Sequence, residues 1–281
     1  MTLAAKAAAL RRLHQPGRPV LFANIWDPVS ARWLEQAGWP AVATSSAAIA
    51  NAHGYPDGER IPRAEMLAAV ARIAGAVEVP VSADMEAGYG ATPEAWAATA
   101  AALLAAGAVG CNLEDAAAPA PGGSPLVAVE LQCARLRAVR QTADQAGVPL
   151  VINARCDAYL LHAPPAGWDA WAETVPRVAA YRAAGADCIF VPGLTEVAII
   201  RRLIATSPGP LNVLAGPGAP AVAELAAAGV ARISLGSGPH RAALGWFGRA
   251  AEELRGPGTY TAIAEVAPSY TAANALLEPP R

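Results

Sequence analysis

The chain has 281 residues, 54% of them hydrophobic and 16% charged, with a formal net charge of −2. A chain this apolar buries a large core and is not disordered; its interspersed charges lack the basic stripe of a nucleic-acid binder. No apolar run reaches the roughly 18 residues of a membrane span before Gly, Pro or a charge interrupts it, and a first segment with Lys6, Arg11 and Arg12 well inside it does not read as a signal peptide.

Residues 1–16 read as a surface helix rich in alanine. A first strand follows over 20–25. From there one pattern recurs, a helix ending in Ala-Gly and then a short β-rich run. It appears at Ala37-Gly38 before 41–44, at Ala106-Gly107 before 109–113 and at Ala146-Gly147 before 150–152. It returns at Ala184-Gly185 before 188–191 and at Ala228-Gly229 before 232–235. Runs at 79–84 and 211–214 complete eight strands alternating with helices.

Such alternation implies parallel strands with crossover helices. Eight units within roughly 240 residues suit closure into a (β/α)8 barrel better than a doubly wound open sheet. No linker divides the chain, so 1–281 reads as one barrel domain, with 256–281 a helical extension placed to pack on a second copy in a dimer or tetramer. The four cysteines, Cys111, Cys133, Cys156 and Cys188, form no Cys-x-x-Cys pair and read as reduced, mostly buried thiols of a cytoplasmic protein.

In a barrel of this kind the active site lies at the C-terminal ends of the strands. The strand ends carry Asp27, Ser45 and Ser46, Asp57, Asp84 and Glu86, Glu114 and Asp115, Arg155 and Asp157, Asn212, and Gly236-Ser237-Gly238-Pro239-His240. Acids crowded at one rim repel unless a cation sits among them. A set of oxygen ligands without a His or Cys cluster suits Mg2+ or Mn2+. These acids also read as helix N-caps, with Asp27 and Asp115 the plainest cases. Arg155 offers a fork for a substrate carboxylate or pairs with Asp157. Ser45 and Ser46 could hydrogen-bond a substrate, Gly236–Gly238 is an anion cradle or a plain turn, and His53 and His240 read as loop or capping residues. Trp26 and Trp33 line the barrel or an interface.

These pieces, in order, resemble the isocitrate lyase/phosphoenolpyruvate mutase superfamily. The resemblance rests on Asn24 to Arg32, Thr44 to Ser46 with Gly54 to Asp57, Val81 to Gly90, Gly110 to Asp115 and Asn153 to Ala158. It implies metal-site acids at Asp57, Asp84, Glu86 and Glu114, with Asp84 binding Mg2+ directly and the others mostly through water. It implies substrate contacts from Ser45, Ser46, Asp84, Arg155 and Asn212, and catalytic roles for Arg155, Asp57 and Glu114. Family members usually carry Asp where Glu86 stands and often Gly where Ser46 stands.

Two departures bear on the reaction. The segment Ala116 to Pro125, where lyases of the superfamily carry an acid–base cysteine and mutases and hydrolases carry lysine and other polar groups, holds no Cys, His or Lys. Pro192 replaces a strand-six glutamate. The resemblance therefore implies a Mg2+-dependent carbon–carbon lyase or decarboxylase acting on a small 2-oxo or 2-hydroxy dicarboxylate, oxaloacetate- or methylisocitrate-like, through an enolate. Decarboxylation asks least of a protein acid–base group. Phosphonopyruvate hydrolase or mutase chemistry, and a non-catalytic binder of 2-oxo acids, are the alternatives.

Overall fold

The structure, a computed structural model, describes residues 1–117, 124–161 and 163–278. Eight strands run in chain order: β1 (Val20–Phe22), β2 (Val42–Ala43), β3 (Val81–Asp84), β4 (Gly110–Glu114), β5 (Val151–Arg155), β6 (Cys188–Phe190), β7 (Leu211–Leu214) and β8 (Arg232–Ser234). Every pairing is parallel, in the order β1-β8-β7-β6-β5-β4-β3-β2. The seam between β1 and β2 is joined by a parallel bridge, Ile25 with Thr44. The sheet thus forms a nearly closed α/β barrel, as the alternation of elements predicts.

Helices accompany the strands: α1 (Leu3–Leu13), α2 (Pro28–Gln36), α3 (Ser46–Ala52), α4 (Arg63–Ala76), α5 (Pro93–Ala105), α6 (Val129–Gln145), α7 (Ala170–Ala183), α8 (Val197–Thr206), α9 (Val222–Ala227) and α10 (Gly238–Arg255). The expected extension is two short helices, α11 (Thr261–Val266) and α12 (Tyr270–Ala275). Gly38, Gly107, Gly147, Gly185 and Gly229 all have positive φ, so each Ala-Gly pair ends a helix in the left-handed region that glycine tolerates.

One expectation is corrected at the N-terminus. Helix α1 is not a free surface helix, because Ala7 and Leu10 are fully buried. Leu10 lies so close to Gly110, the first residue of β4, that a Cβ there would sit 2.7 Å from its Cδ2. The helix therefore closes the N-terminal end of the barrel, and its apolar face gains more by leaving water there than on the surface.

Strand register sets the interior. With the stagger of a closed eight-stranded barrel, the pairings place inward-facing side chains on successive levels. The upper level holds Asn24, Asp84, Arg155 and Leu214. Below it lie Ala43, Asn112, Phe190 and Ser234, then Phe22, Ser82, Asn153 and Asn212, then Gly110, Cys188 and Arg232. Contacts between levels agree: Asn153 Nδ2 donates to Asn112 Oδ1 at 2.6 Å, and Ser234 Oγ donates to Asn212 Oδ1 at 3.2 Å.

Candidate active site at the C-terminal mouth of the barrel

Asp84 is the last residue of β3. Its own N–H donates to Thr44 Oγ1 at 2.9 Å. Its Oδ2 receives the Ser46 N–H at 3.1 Å and the Ser46 hydroxyl at 2.8 Å. Oδ1 receives no hydrogen bond from the described residues. Ser45 is the N-cap of α3, its Oγ accepting from Ala48 N–H at 3.3 Å. Both serines therefore have protein partners here, one organising a helix start and the other a carboxylate.

Arg155 ends β5 on the level of Asp84. Its Nη1 meets Glu114 Oε2 at 2.6 Å, while Nε and Nη2 bind the two oxygens of Asp157 at 2.5 and 2.9 Å. The two readings of Arg155 are thus compatible. A guanidinium carries five N–H donors; two hydrogen-bond Asp157 and Nη1 is ion-paired with Glu114, so the orientation of the side chain is fixed. Burial alone lowers its pKa, but Glu114 and Asp157 raise it above the ordinary value. For Glu114, burial raises the carboxyl and Arg155 opposes that.

The third group joins two loops. Glu86 Oε2 accepts N–H groups from Gly58 at 3.0 Å and Glu59 at 2.6 Å. In return, Glu59 Oε1 accepts the Tyr89 N–H at 2.6 Å. Glu59, Glu86 and Tyr89 are the three non-glycine residues with positive φ among those described. Backbone strain gathered at one place is held by its surroundings and marks functional loops. Burial, with Asp84 and Asp57 adding to it, pushes Glu86 up to about 7. Asp57 is raised too, by burial first and Asp84 after it.

Among the described residues no three His, Cys, Asp or Glu side chains form a ready metal cage. The donors at this mouth are carboxylates that act on one another across Asp84. Mg2+ asks for one or two direct carboxylates and keeps several waters. An uncapped Asp84 oxygen ringed by further acids fits that demand.

The family model for phosphoenolpyruvate phosphomutase matches residues 10–255. The chain belongs to that family. It therefore falls within the isocitrate lyase/phosphoenolpyruvate mutase superfamily, as its strand-end residues imply. It is 30% identical over 222 residues to the oxaloacetate decarboxylase of Rhodopseudomonas palustris (strain BisB18), covering 77% of this chain and 73% of that one. A crystal structure of a candidate phosphonomutase from Burkholderia cenocepacia J2315 shares 43% identity, with a TM-score of 0.83 over 90% of this chain and 99% of that one. Phosphonopyruvate hydrolase in complex with oxalate and Mg2+ aligns with a TM-score of 0.82 and 26% identity, over 96% and 94% of the two chains. Relatives in this family thus include lyases, hydrolases and mutases.

Other residues read from the sequence sort by geometry. For this family member Asn212 is fully buried two levels below Asp84, and Leu214 faces the mouth from β7 instead. Asp27 is an N-cap, in a capping box with Ser30. Asp115 is not a cap. It is a fully buried strut that accepts from Tyr181 OH at 2.6 Å, Arg177 at 3.2 Å and Asp157 N–H at 2.9 Å. The Gly236–Gly238 turn is no free anion cradle, since Asn24 Oδ1 already accepts the N–H groups of Leu235 and Gly236.

His53 Nδ1–H donates to Ile49 O at the end of α3, and His240 stacks edge-on against Trp26 at 5.1 Å. All four cysteines are free and buried. Pro192 is buried just past β6, so β6 sends no carboxylate to the mouth. The bare stretch lies largely outside the described residues, at 118–123. Its base is pinned, with Ala117 N–H donating to Pro125 O at 2.9 Å. Glu59 was missed by sequence reading, and Thr44 was read there only as part of a strand end. An Asp-Gly-Glu turn with no periodicity gave no sign that its glutamate ties two loops.

Proposed function

We propose that the protein is a divalent-cation-dependent lyase or decarboxylase that breaks a carbon–carbon bond beside the carbonyl of a small 2-oxo or 2-hydroxy dicarboxylate, with oxaloacetate the simplest. The observation that supports it most is Arg155, held on the level of Asp84 by an ion pair with Glu114 and two hydrogen bonds to Asp157, with N–H groups left over. A fixed fork of that kind grips a carboxylate and stabilises negative charge growing on a neighbouring oxygen. Asp84 would hold Mg2+ or Mn2+ directly, with Asp57, Glu86 and Glu114 ordering its waters. When bound, the cation supplies Lewis-acid stabilisation of the substrate's oxygen.

The chain's own residues set the stage for cleavage. Ser46 aims Asp84, and Ser45 keeps its hydroxyl proton free to donate toward a substrate carboxylate. In decarboxylation the C–C electron pair stays on the substrate as an enolate, CO2 departs, and the carbon takes up a proton afterwards. No protein base is needed for the bond-breaking step, which suits a mouth where Pro192 stands in place of an acid. The test is a product assay with Mg2+ and oxaloacetate, 2-methylisocitrate, 2,3-dimethylmalate or phosphonopyruvate. Pyruvate or another oxo acid released with C–C cleavage supports the reading. The 43% identity to the candidate phosphonomutase favours a second reading, and inorganic phosphate from phosphonopyruvate would establish that one instead. Tight binding without turnover would leave a binding protein.

The proposal includes a second copy of the chain. Helix α10 follows the last strand, yet only His240 and Ala250 are buried along it, and Leu244, Phe247 and Leu254 are exposed. The outer faces of β1 and β8 are uncovered at Leu21 and just beyond at Leu235. An exposed apolar helix face and an uncovered strand face in one chain would cover each other in a twofold pair. The C-terminus instead returns to its own α2, where Arg32 Nε donates to Leu276 O at 2.8 Å.

A further inference from the structure

The barrel interior carries a cation that the proposed chemistry does not use. Arg232 opens β8 and is fully buried. Its guanidinium lies 4.5 Å from the Phe22 ring centroid, and it donates from Nη1 to Ser82 Oγ at 3.4 Å and from Nη2 to Asn112 Oδ1 at 3.3 Å. Both bonds are long, and Nε has no partner among the described residues. No carboxylate lies within ion-pair distance among the described residues. A buried charge without a counter-ion is among the most costly features a core can hold, and an apolar residue would fill the space more cheaply.

What Arg232 touches explains the cost. Ser82 is two residues before Asp84 on β3, and Asn112 pairs in register with Asp84 on β4. Both of its hydrogen bonds therefore end on inward-facing residues of β3 and β4, two levels and one level below Asp84. Burial lowers the Arg232 pKa to about 10, opposed by Cys188, Asp84 and Cys111. Burial also pushes both thiols up to about 12, so at neutral pH they carry no charge. His14, buried at the end of α1, is held neutral by burial first and by that same cation.

We propose that Arg232 is a positioning residue that acts through Asp84: a resident counter-charge on the barrel floor that steadies the mouth's central carboxylate through Ser82 and Asn112. The inference rests on Asp84 being central to the site, but it does not require that a metal bind there.

The test is a double-mutant cycle in EDTA, comparing wild type, Arg232→Met, Asp84→Asn and the double variant by thermal unfolding. The double variant is expected to melt about 2 °C or more above the sum of the single effects. Arg232→Lys, which keeps the charge, is expected to restore most of the coupling. Additive melting shifts overturn the inference, because a side chain that only fills space has no reason to sense the Asp84 charge. If Arg232→Met does not fold, Arg232→Gln repeats the cycle. Neutral variants that fold only beside Asp84→Asn support coupling, and neutral variants that fold in neither background overturn it. Mn2+ titration of the wild type judges the metal reading separately. Coupling without Mn2+ binding sinks that reading and leaves this inference standing, and Mn2+ binding with an additive cycle does the reverse.

Discussion

Ser46 holds Asp84 twice on one oxygen, through its backbone N–H at 3.1 Å and its hydroxyl at 2.8 Å. The second carboxylate oxygen is left toward the mouth. Because one of the two donors is backbone, the side chain at this position is only half of the grip. Ser46→Gly and Ser46→Ala are both expected to fold and to keep activity, with kcat/KM lowered about tenfold, the worth of one hydrogen bond to a charged group. Asp84→Asn is expected to lower kcat by at least about a thousandfold and to abolish any rise in Tm on adding Mg2+. A Mg2+-induced rise that survives in Asp84→Asn would remove Asp84 from the metal site.

Arg155 is committed to two carboxylates before any substrate arrives. Lysine keeps the charge but cannot span Glu114 and Asp157 together. Arg155→Lys is expected to lower kcat/KM by about a hundredfold or more with a modest change in Tm. Arg155→Ala strands two buried acids and is expected to cost about 3–5 kcal/mol of stability. Chemical denaturation and steady-state kinetics on the two variants separate these roles.

Glu86 reaches the N–H groups of Gly58 and Glu59 because it has one methylene more than aspartate. Glu86→Asp is expected to shorten that reach and free the loop. Hydrogen exchange at Gly58 and Glu59 should then accelerate by about tenfold, roughly the loss of one hydrogen bond to a charged acceptor. Unchanged protection at both amides would show that the loop is held by something else.

His14 gives the barrel floor a signed pH response. Burial first, and then Arg232, lower its pKa from 6.5 to about 4. A depressed histidine contributes stability that is present above pH 6.5 and lost as pH falls through about 4. Fully expressed, that loss is on the order of 3 kcal/mol. Melting curves between pH 7 and pH 4.5 are expected to fall more steeply for wild type than for His14→Gln, and parallel curves would refute the assignment.

The exposed face of α10 predicts association. Phe247 is 66% exposed and Leu244 53% exposed on a helix with little contact to its own barrel. Light scattering is expected to find at least a dimer for the wild type and a smaller species for Leu244→Glu/Phe247→Glu. A wild-type monomer at micromolar concentration would end that expectation.

The barrel itself was legible in the chain. Ala-Gly helix ends before short β-rich runs impose alternation, and parallel strands joined by helices leave few architectures open. The acids and Arg155 could be placed at the mouth because the fold rule assigns strand ends to that face. What each side chain holds could not be read, because hydrogen-bond partners come from strands far apart in sequence. Asn212 looked like a mouth residue, but the stagger of the closed sheet drops it two levels below Asp84. Asp115 looked like a cap until Arg177 and Tyr181, 62 and 66 residues away, enclosed it. Arg232 carries no signal in a strand-like run, since only closure of the barrel brings it under Asn112, 120 residues away. Local spacing sets which elements form; barrel closure and stagger decide which polar groups meet.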